Sequence, residues 1–312
     1  MSKSPHPDHD RGLEFDLGTL LLRRRTLGLF LGAGILGAGT VAGVAACAPD
    51  TANEAANGAV TAASPSPSVS TAGTEATATA SPTATATASS TAQLTRAIAE
   101  CTANPVDTPE ETAGPYPADG TNGPDVLTAS GIVRKDITSS FGASTTKAAG
   151  VPITITLNLL DNSNGCKPLS GAAVYLWHAT RDGEYSLYDQ GLEEENFLRG
   201  VQEADANGQL TFTSVFPGAY NGRWPHIHFE AFESMGNATS AGQILRTSQI
   251  AMTEAACKDV YATAGYESSA QNFPNTPLAQ DNVFGDDGGI HQLATMTGSA
   301  SAGYQASLNV II

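Results

Sequence analysis

The stretch PGAYNGRWPHIHF, from Pro217 to Phe229, holds the residues best suited to chemistry. In an extended chain alternate side chains share a face. His226 and His228 therefore stand side by side, while Ile227 and Phe229 point to the other side, towards a core. Two imidazoles on one face can share a metal ion or form a polar patch, and their candidate partners decide between the two. Tyr220 follows the Pro217-Gly218 turn. Tyr185 sits in the loop RDGEYSLYD (Arg181 to Asp189), where Tyr188 is the neighbouring alternative. Phenolates are hard anionic donors, so two imidazoles with two phenolates select Fe(III) over Zn(II) or Cu(I). A phenol ionises near pH ~10, and only a strongly Lewis-acidic ion keeps two of them deprotonated at neutral pH. No Cys-x-x-Cys, His-Glu-x-x-His, Gly-x-Ser-x-Gly or phosphate loop competes.

The elements that must hold these residues are strands. VPITITLNLLD (Val151 to Asp161) alternates, with Ile153, Ile155, Leu157 and Leu159 on one face and Thr154, Thr156 and Asn158 on the other. GAAVYLWHA (Gly171 to Ala179), QLTFTSVF (Gln209 to Phe216), the histidine strand, LRTSQIAM (Leu245 to Met252) and GYQASLNVII (Gly303 to Ile312) read as further strands. Turn clusters such as DANG (Asp205 to Gly208) separate them. Only MTEAACKDVYAT (Met252 to Thr263) reads as a helix. The pattern predicts an all-β fold, a β-sandwich of short, largely antiparallel strands whose long loops carry the metal site.

Ahead of this domain, Arg23-Arg24-Arg25 opens an apolar, Gly-rich stretch that ends at Val44-Ala45-Ala46-Cys47. A basic region, an apolar region and small residues before a cleavage point make an export signal over residues 1–47. The paired arginines resemble a twin-arginine signal, and VAAC resembles a lipobox in which Cys47 is lipidated and the protein is held at the cell surface or released. An uncleaved membrane helix is the alternative, disfavoured by the glycine and alanine content and the lack of a second span. Residues 48–96, nearly all Thr, Ala, Ser, Pro and Gly, predict a disordered linker. That leaves residues 97–312 as one domain with a sizeable core.

The formal charge of the 312-residue chain is −16, and without residues 1–47 ten Lys/Arg face twenty-seven Asp/Glu. So acidic a surface argues against nucleic acid and anionic lipid as partners, and leaves a lipid anchor as the membrane contact. It is compatible with a neutral aromatic ligand. Beyond Cys47, the cysteines are Cys101, Cys166 and Cys257. Outside the cytoplasm two of them pair and one stays free, with all three pairings open.

Four stretches resemble the intradiol ring-cleavage dioxygenases, most of all the secreted, lipoprotein-type members of actinobacteria. They are TPEETAGPYPADG (Thr108 to Gly120), GAAVYLWHATRDGEYSLY (Gly171 to Tyr188), FLRGVQEADANGQLTFTSVFPGAYNGRWPHIHFE (Phe197 to Glu230) and LRTSQIAM (Leu245 to Met252). Pro-Gly-x-Tyr followed by Arg-x-Pro-His-Ile-His-Phe is the most specific part. The resemblance implies an Fe(III) enzyme that uses O2 to open catecholic rings between the two hydroxylated carbons, giving muconate-type diacids. It implies Tyr185, Tyr220, His226 and His228 as ligands, with Tyr220 the one that leaves when substrate binds. It makes Arg223 a guanidinium that stabilises charge on the ring and Gln249 a neighbour of the carbon that oxygen attacks. Tyr116, in the GPY element, walls the substrate pocket. The short NGRWP link departs from the catechol and protocatechuate enzymes and implies a more open site. No long helical N-terminal segment supports a dimer of the catechol 1,2-dioxygenase kind.

Each residue also has an ordinary reading. A His-x-His pair on a strand is more often structural than metal-binding, and Tyr185 can be a loop tyrosine packed on Tyr188. Arg223 can be a surface arginine beside one of many acids, worth little energetically. His178 alternates with Val174 and Leu176 and reads as a core histidine. Joint occurrence favours the metal. The competing function is a non-catalytic β-sandwich binding module on a tether, which would be colourless.

Overall fold

The computed structural model describes residues 82–312 apart from Ala241, with side chains from residue 92 onward. The expected export signal and residues 48–81 of the expected linker lie outside the described residues. The axis of the first sheet is β1 (Pro152–Asp161). It pairs antiparallel with β2 (Lys167–Pro168) and with β5 (Gln209–Val215), and parallel with β9 (Gly303–Ile311). The last of these pairs antiparallel with β8 (Thr295–Ser299). The second sheet runs in the order β4 (Arg199–Glu203), β3 (Ala173–Trp177), β6 (His226–Phe232), β7 (Ile244–Ala251), and every pair in it is antiparallel.

The two sheets form the expected sandwich. Ile153, Ile155, Leu157 and Leu159 of β1 are at most 1% exposed and share one core with Phe212, Val174, Leu176, Ile227 and Phe229. Burial of each such side chain stabilises by about 1.5–3 kcal/mol, which pins the register: a slip of one residue would turn the whole set to water. A second apolar layer lies on the outer face of the second sheet. There Tyr175, Trp177 and Val201 are covered by loops that bring Tyr116, Leu127, Ile132 and Tyr185. The candidate site sits in this outer layer.

Helix is more abundant than the sequence predicts. The expected helix is present as Glu254–Tyr261, capped by the Thr253 hydroxyl accepting from Ala256 N. Met235–Ala238 and Glu267–Asn272 are further short helices. A longer one, Pro82–Ala103, takes in residues read as linker, so the expected boundary at 97 falls inside a helix. Composition alone gives this segment no reason to fold, and its stability is tertiary. Leu94, Ala97, Ile98 and Cys101 pack against Leu160, Cys166 and Ile311. A disulfide joins Cys101 to Cys166 across a separation of 65 residues and leaves Cys257 buried and free. In a chain-entropy model such a closure stabilises by about 4 kcal/mol. No helix among the described residues is long and apolar enough to cross a membrane.

Candidate metal centre

The antiparallel register of the second sheet sets Trp177, His228 and Gln249 in one row across β3, β6 and β7. The Trp177 ring stacks on His228 at 4.9 Å with an interplanar angle of 6°, which fixes the imidazole plane. Two residues earlier on the same face, His226 lays its Nε2 3.0 Å from the Nε2 of His228. Its Nδ1 lies 2.5 Å from the Trp224 carbonyl, a bond that keeps the proton on Nδ1 and the Nε2 lone pair free.

The tyrosines arrive on two loops that touch. Gly218 makes the approach possible: a Cβ there would stand 2.5 Å from the Thr180 carbonyl oxygen, in the loop that leads to Tyr185. The Tyr185 hydroxyl lies 3.3 Å from that of Tyr220, which in turn lies 3.1 Å from His226 Nε2. Tyr188 points elsewhere, its hydroxyl accepting from Ala118 N and lying 3.2 Å from Asn122 Oδ1, so Tyr185 is the phenol of the cluster. Tyr185 is 1% exposed and Tyr220 half-buried. His178 is kept out by bonds to Ala179 O and Ser214 Oγ, and burial lowers its pKa to about 4, as a core histidine requires.

These four residues fit a hard metal ion. Neighbouring donors at right angles around an ion, with bonds of about 2.1 Å, stand about 3.0 Å apart, close to the spacing found. Burial, then the Arg223 guanidinium, hold His226 well below the usual imidazole range, and burial and His226 do the same to His228. Both rings are thus neutral and able to donate. Burial and then Tyr220 raise the Tyr185 phenol well above its ordinary value, so only a strongly Lewis-acidic ion would take its proton. Among the described residues no group of three or more His, Cys, Asp or Glu could hold a metal, which makes the phenols indispensable.

Arg223 is not a surface residue. It is 6% exposed and bonds Asp281 through Nε at 3.0 Å and Gln249 Oε1 through Nη2 at 2.6 Å. Gln249 passes the contact on, its Nε2 donating to the Thr112 carbonyl at 2.9 Å. Tyr116 packs its ring 4.9 Å from that of Tyr185. All seven predicted residues therefore meet in one region. Two further residues hold the site and were not foreseen. Asp281, with a fully buried carboxylate, also accepts from Trp224 N, Val283 N and Phe284 N. Buried Arg199 donates to Ser186 O, Tyr116 O, Pro117 O and the Tyr175 hydroxyl, tying the GPY and Tyr185 loops to the sheet. Nothing in the sequence separates Asp281 from the other acids of an acid-rich chain. Arg199 carried no signal either, since Gln202 and Glu203 share its strand.

Comparison with known proteins finds dioxygenases. A family model described as Dioxygenase matches residues 122–236. Chlorocatechol 1,2-dioxygenase of Rhodococcus opacus is 36% identical over 53 residues, 17% of this chain and 21% of that protein. Catechol 1,2-dioxygenase 2 of Acinetobacter lwoffii is 40% identical over 55 residues, 18% of this chain and 20% of that protein. The chain thus matches about a fifth of the length of these curated relatives. A solved structure described as an intradiol ring-cleavage dioxygenase from Tetranychus urticae superposes with a TM-score of 0.53 at 27% identity, over 66% of this chain and 94% of that one. On fold and sequence together, this chain is similar to the intradiol ring-cleavage dioxygenases.

Proposed function

We propose that the chain is a non-haem Fe(III) enzyme that opens catechols between their two hydroxylated carbons with O2, yielding muconate-type diacids. The observation that carries this reading is the unbroken series of donor atoms Tyr185 Oη, Tyr220 Oη, His226 Nε2 and His228 Nε2, each within 3.3 Å of the next. Fe(III) held by these four would supply the Lewis acidity and one-electron chemistry that a catechol needs to react with O2. The protein supplies the rest. Tyr220, the more exposed of the two tyrosines, would as a phenolate take a proton from the incoming diol at its Oη and so serve as a general base. Arg223, held by Asp281 and Gln249, stabilises the negative charge that builds on the ring in a partly dry site. Tyr116 walls the pocket beside Tyr185.

The protein loaded with ferric iron should turn burgundy, from tyrosinate-to-iron charge transfer, and should consume O2 with catechol. A loaded protein that stays colourless and takes up no O2 over a panel of catechols would return the reading to a tethered binding module.

The same reading puts the enzyme outside the cytoplasm, exported by a twin-arginine route and anchored through Cys47. That route carries folded proteins, so iron can be loaded before export, and plant- or lignin-derived catechols are the substrates such a location meets. Cys47→Ser should move the protein from the membrane fraction to the soluble one with its colour intact. Retention in the membrane fraction would point instead to an uncleaved helix.

A further inference from the structure

The two imidazoles of the cluster are held by different means. His226 has its Nδ1 against the Trp224 carbonyl, the kind of bond that normally sets the rotation of a metal-binding imidazole. His228 has no such bond: its Nδ1 is buried, and no hydrogen-bond partner for it lies among the described residues. Torsional preference does not take over, because rotation of a histidine ring about Cβ–Cγ is broad and roughly two-fold. A half-turn would put Cε1 where Nε2 stands. Packing must therefore hold this ring.

Trp177 stands directly opposite His228 across β3 and β6, with the two rings 4.9 Å apart between centres and 6° from parallel. Gly114 closes the Cε1–Nε2 edge, where an added Cβ would stand 3.2 Å from Cε1 and 3.8 Å from Nε2. Trp177 is itself fixed. It is fully buried and stacks on Tyr175 at 4.9 Å and 21°. The Tyr175 hydroxyl donates to the Pro117 carbonyl at 2.7 Å and accepts from Arg199 Nη1 at 3.0 Å. The indole Nε1 also has no partner among the described residues, so Trp177 contributes the face of its ring rather than its N–H.

Resting on the function proposed above, we propose that Trp177 is a positioning residue for the metal centre: its ring face, in place of a hydrogen bond, sets the plane of His228 and keeps Nε2 turned towards His226. The column of Arg199, Tyr175, Trp177 and His228 ties that plane to the second sheet, so the imidazole meets an incoming ion already aimed.

Two measurements on the full chain test this, the first without metal. In the metal-free protein the ring protons of His228, identified in the NMR spectrum by their loss in His228→Asn, should be displaced upfield by the indole ring current. The displacement should vanish in Trp177→Leu and largely persist in Trp177→Phe, which keeps a ring face. The second measurement is titration with ferric iron. Trp177→Leu should bind it about 10–100-fold more weakly, the usual loss when a group that orients a ligand is removed, and Trp177→Phe should stay near the wild type. Phe229→Leu is the control for packing: it removes a fully buried ring from the opposite face of β6 and should leave both the displacement and the iron affinity in place. Undisplaced His228 protons in the wild type, or equal iron affinity in folded Trp177→Leu and Phe229→Leu, would overturn the proposal. If Trp177→Leu does not fold, the wild-type displacement and its persistence in Trp177→Phe decide. Wild-type protein that takes up no ferric iron would count against the proposed function, and the metal-free spectrum would still decide the role of Trp177.

Discussion

Tyr185→Phe should abolish the visible band and lower iron affinity more than about a hundredfold, since even outer residues that only orient a ligand are worth 10–100-fold. The reason is charge and hardness rather than shape. The substitution removes one anionic oxygen from a set of two phenols and two imidazoles, and the remaining donors no longer favour Fe(III) over softer divalent ions. The fold should survive, because the ring stays in its packing against Tyr116 and the lost contact is one hydroxyl pair at 3.3 Å. A net cost of about 1 kcal/mol is expected for that contact. Iron analysis, the visible spectrum and thermal melting on the same sample separate the two effects. If the variant keeps its iron and an unshifted band, the ligand is another residue, and the orientation of Tyr188 rules out the obvious substitute.

Arg223→Leu should leave a coloured protein that binds catechol, shifts its spectrum and then opens the ring 10²–10³ times more slowly, the usual loss for one preorganised donor. Arg223 cannot itself ligate the metal, so iron content is not the point of failure. Its burial adds a second consequence. Removing one partner of a buried pair typically costs about 3–5 kcal/mol, because the other charge is left uncompensated. Asp281 keeps three backbone donors, from Trp224, Val283 and Phe284, which places the expected cost towards the lower end. Asp281→Asn in the same chain removes the orphaned charge. It should recover stability without recovering rate, and that split is what a purely structural arginine would not produce. Stopped-flow mixing of the anaerobic catechol complex with oxygenated buffer reads the chemical step directly. Wild-type ring opening in a folded variant would falsify the electrophilic role and leave Gln249 as the polar group beside the substrate.

The sequence by itself determined what depends on near neighbours in the chain. Alternation put Ile153 to Leu159 into the core, and the same period placed His226 and His228 on one face with Ile227 and Phe229 behind them. Residue chemistry then pointed to a hard metal ion, because phenols and imidazoles have preferences wherever they stand. The tertiary structure decided which distant groups meet. It separated Tyr185 from Tyr188, three positions apart on one loop, through the direction each ring takes on leaving it. It buried Arg223 by supplying Asp281, 58 residues away, and it chose Cys166 as the partner of Cys101. It also made a helix of residues whose composition predicts a spacer, since a segment too weak to fold alone is held by packing and a covalent tie. The parallel pairing of β1 with β9 was equally illegible, because alternation records which face is buried and carries no information about which strand lies alongside or in which direction.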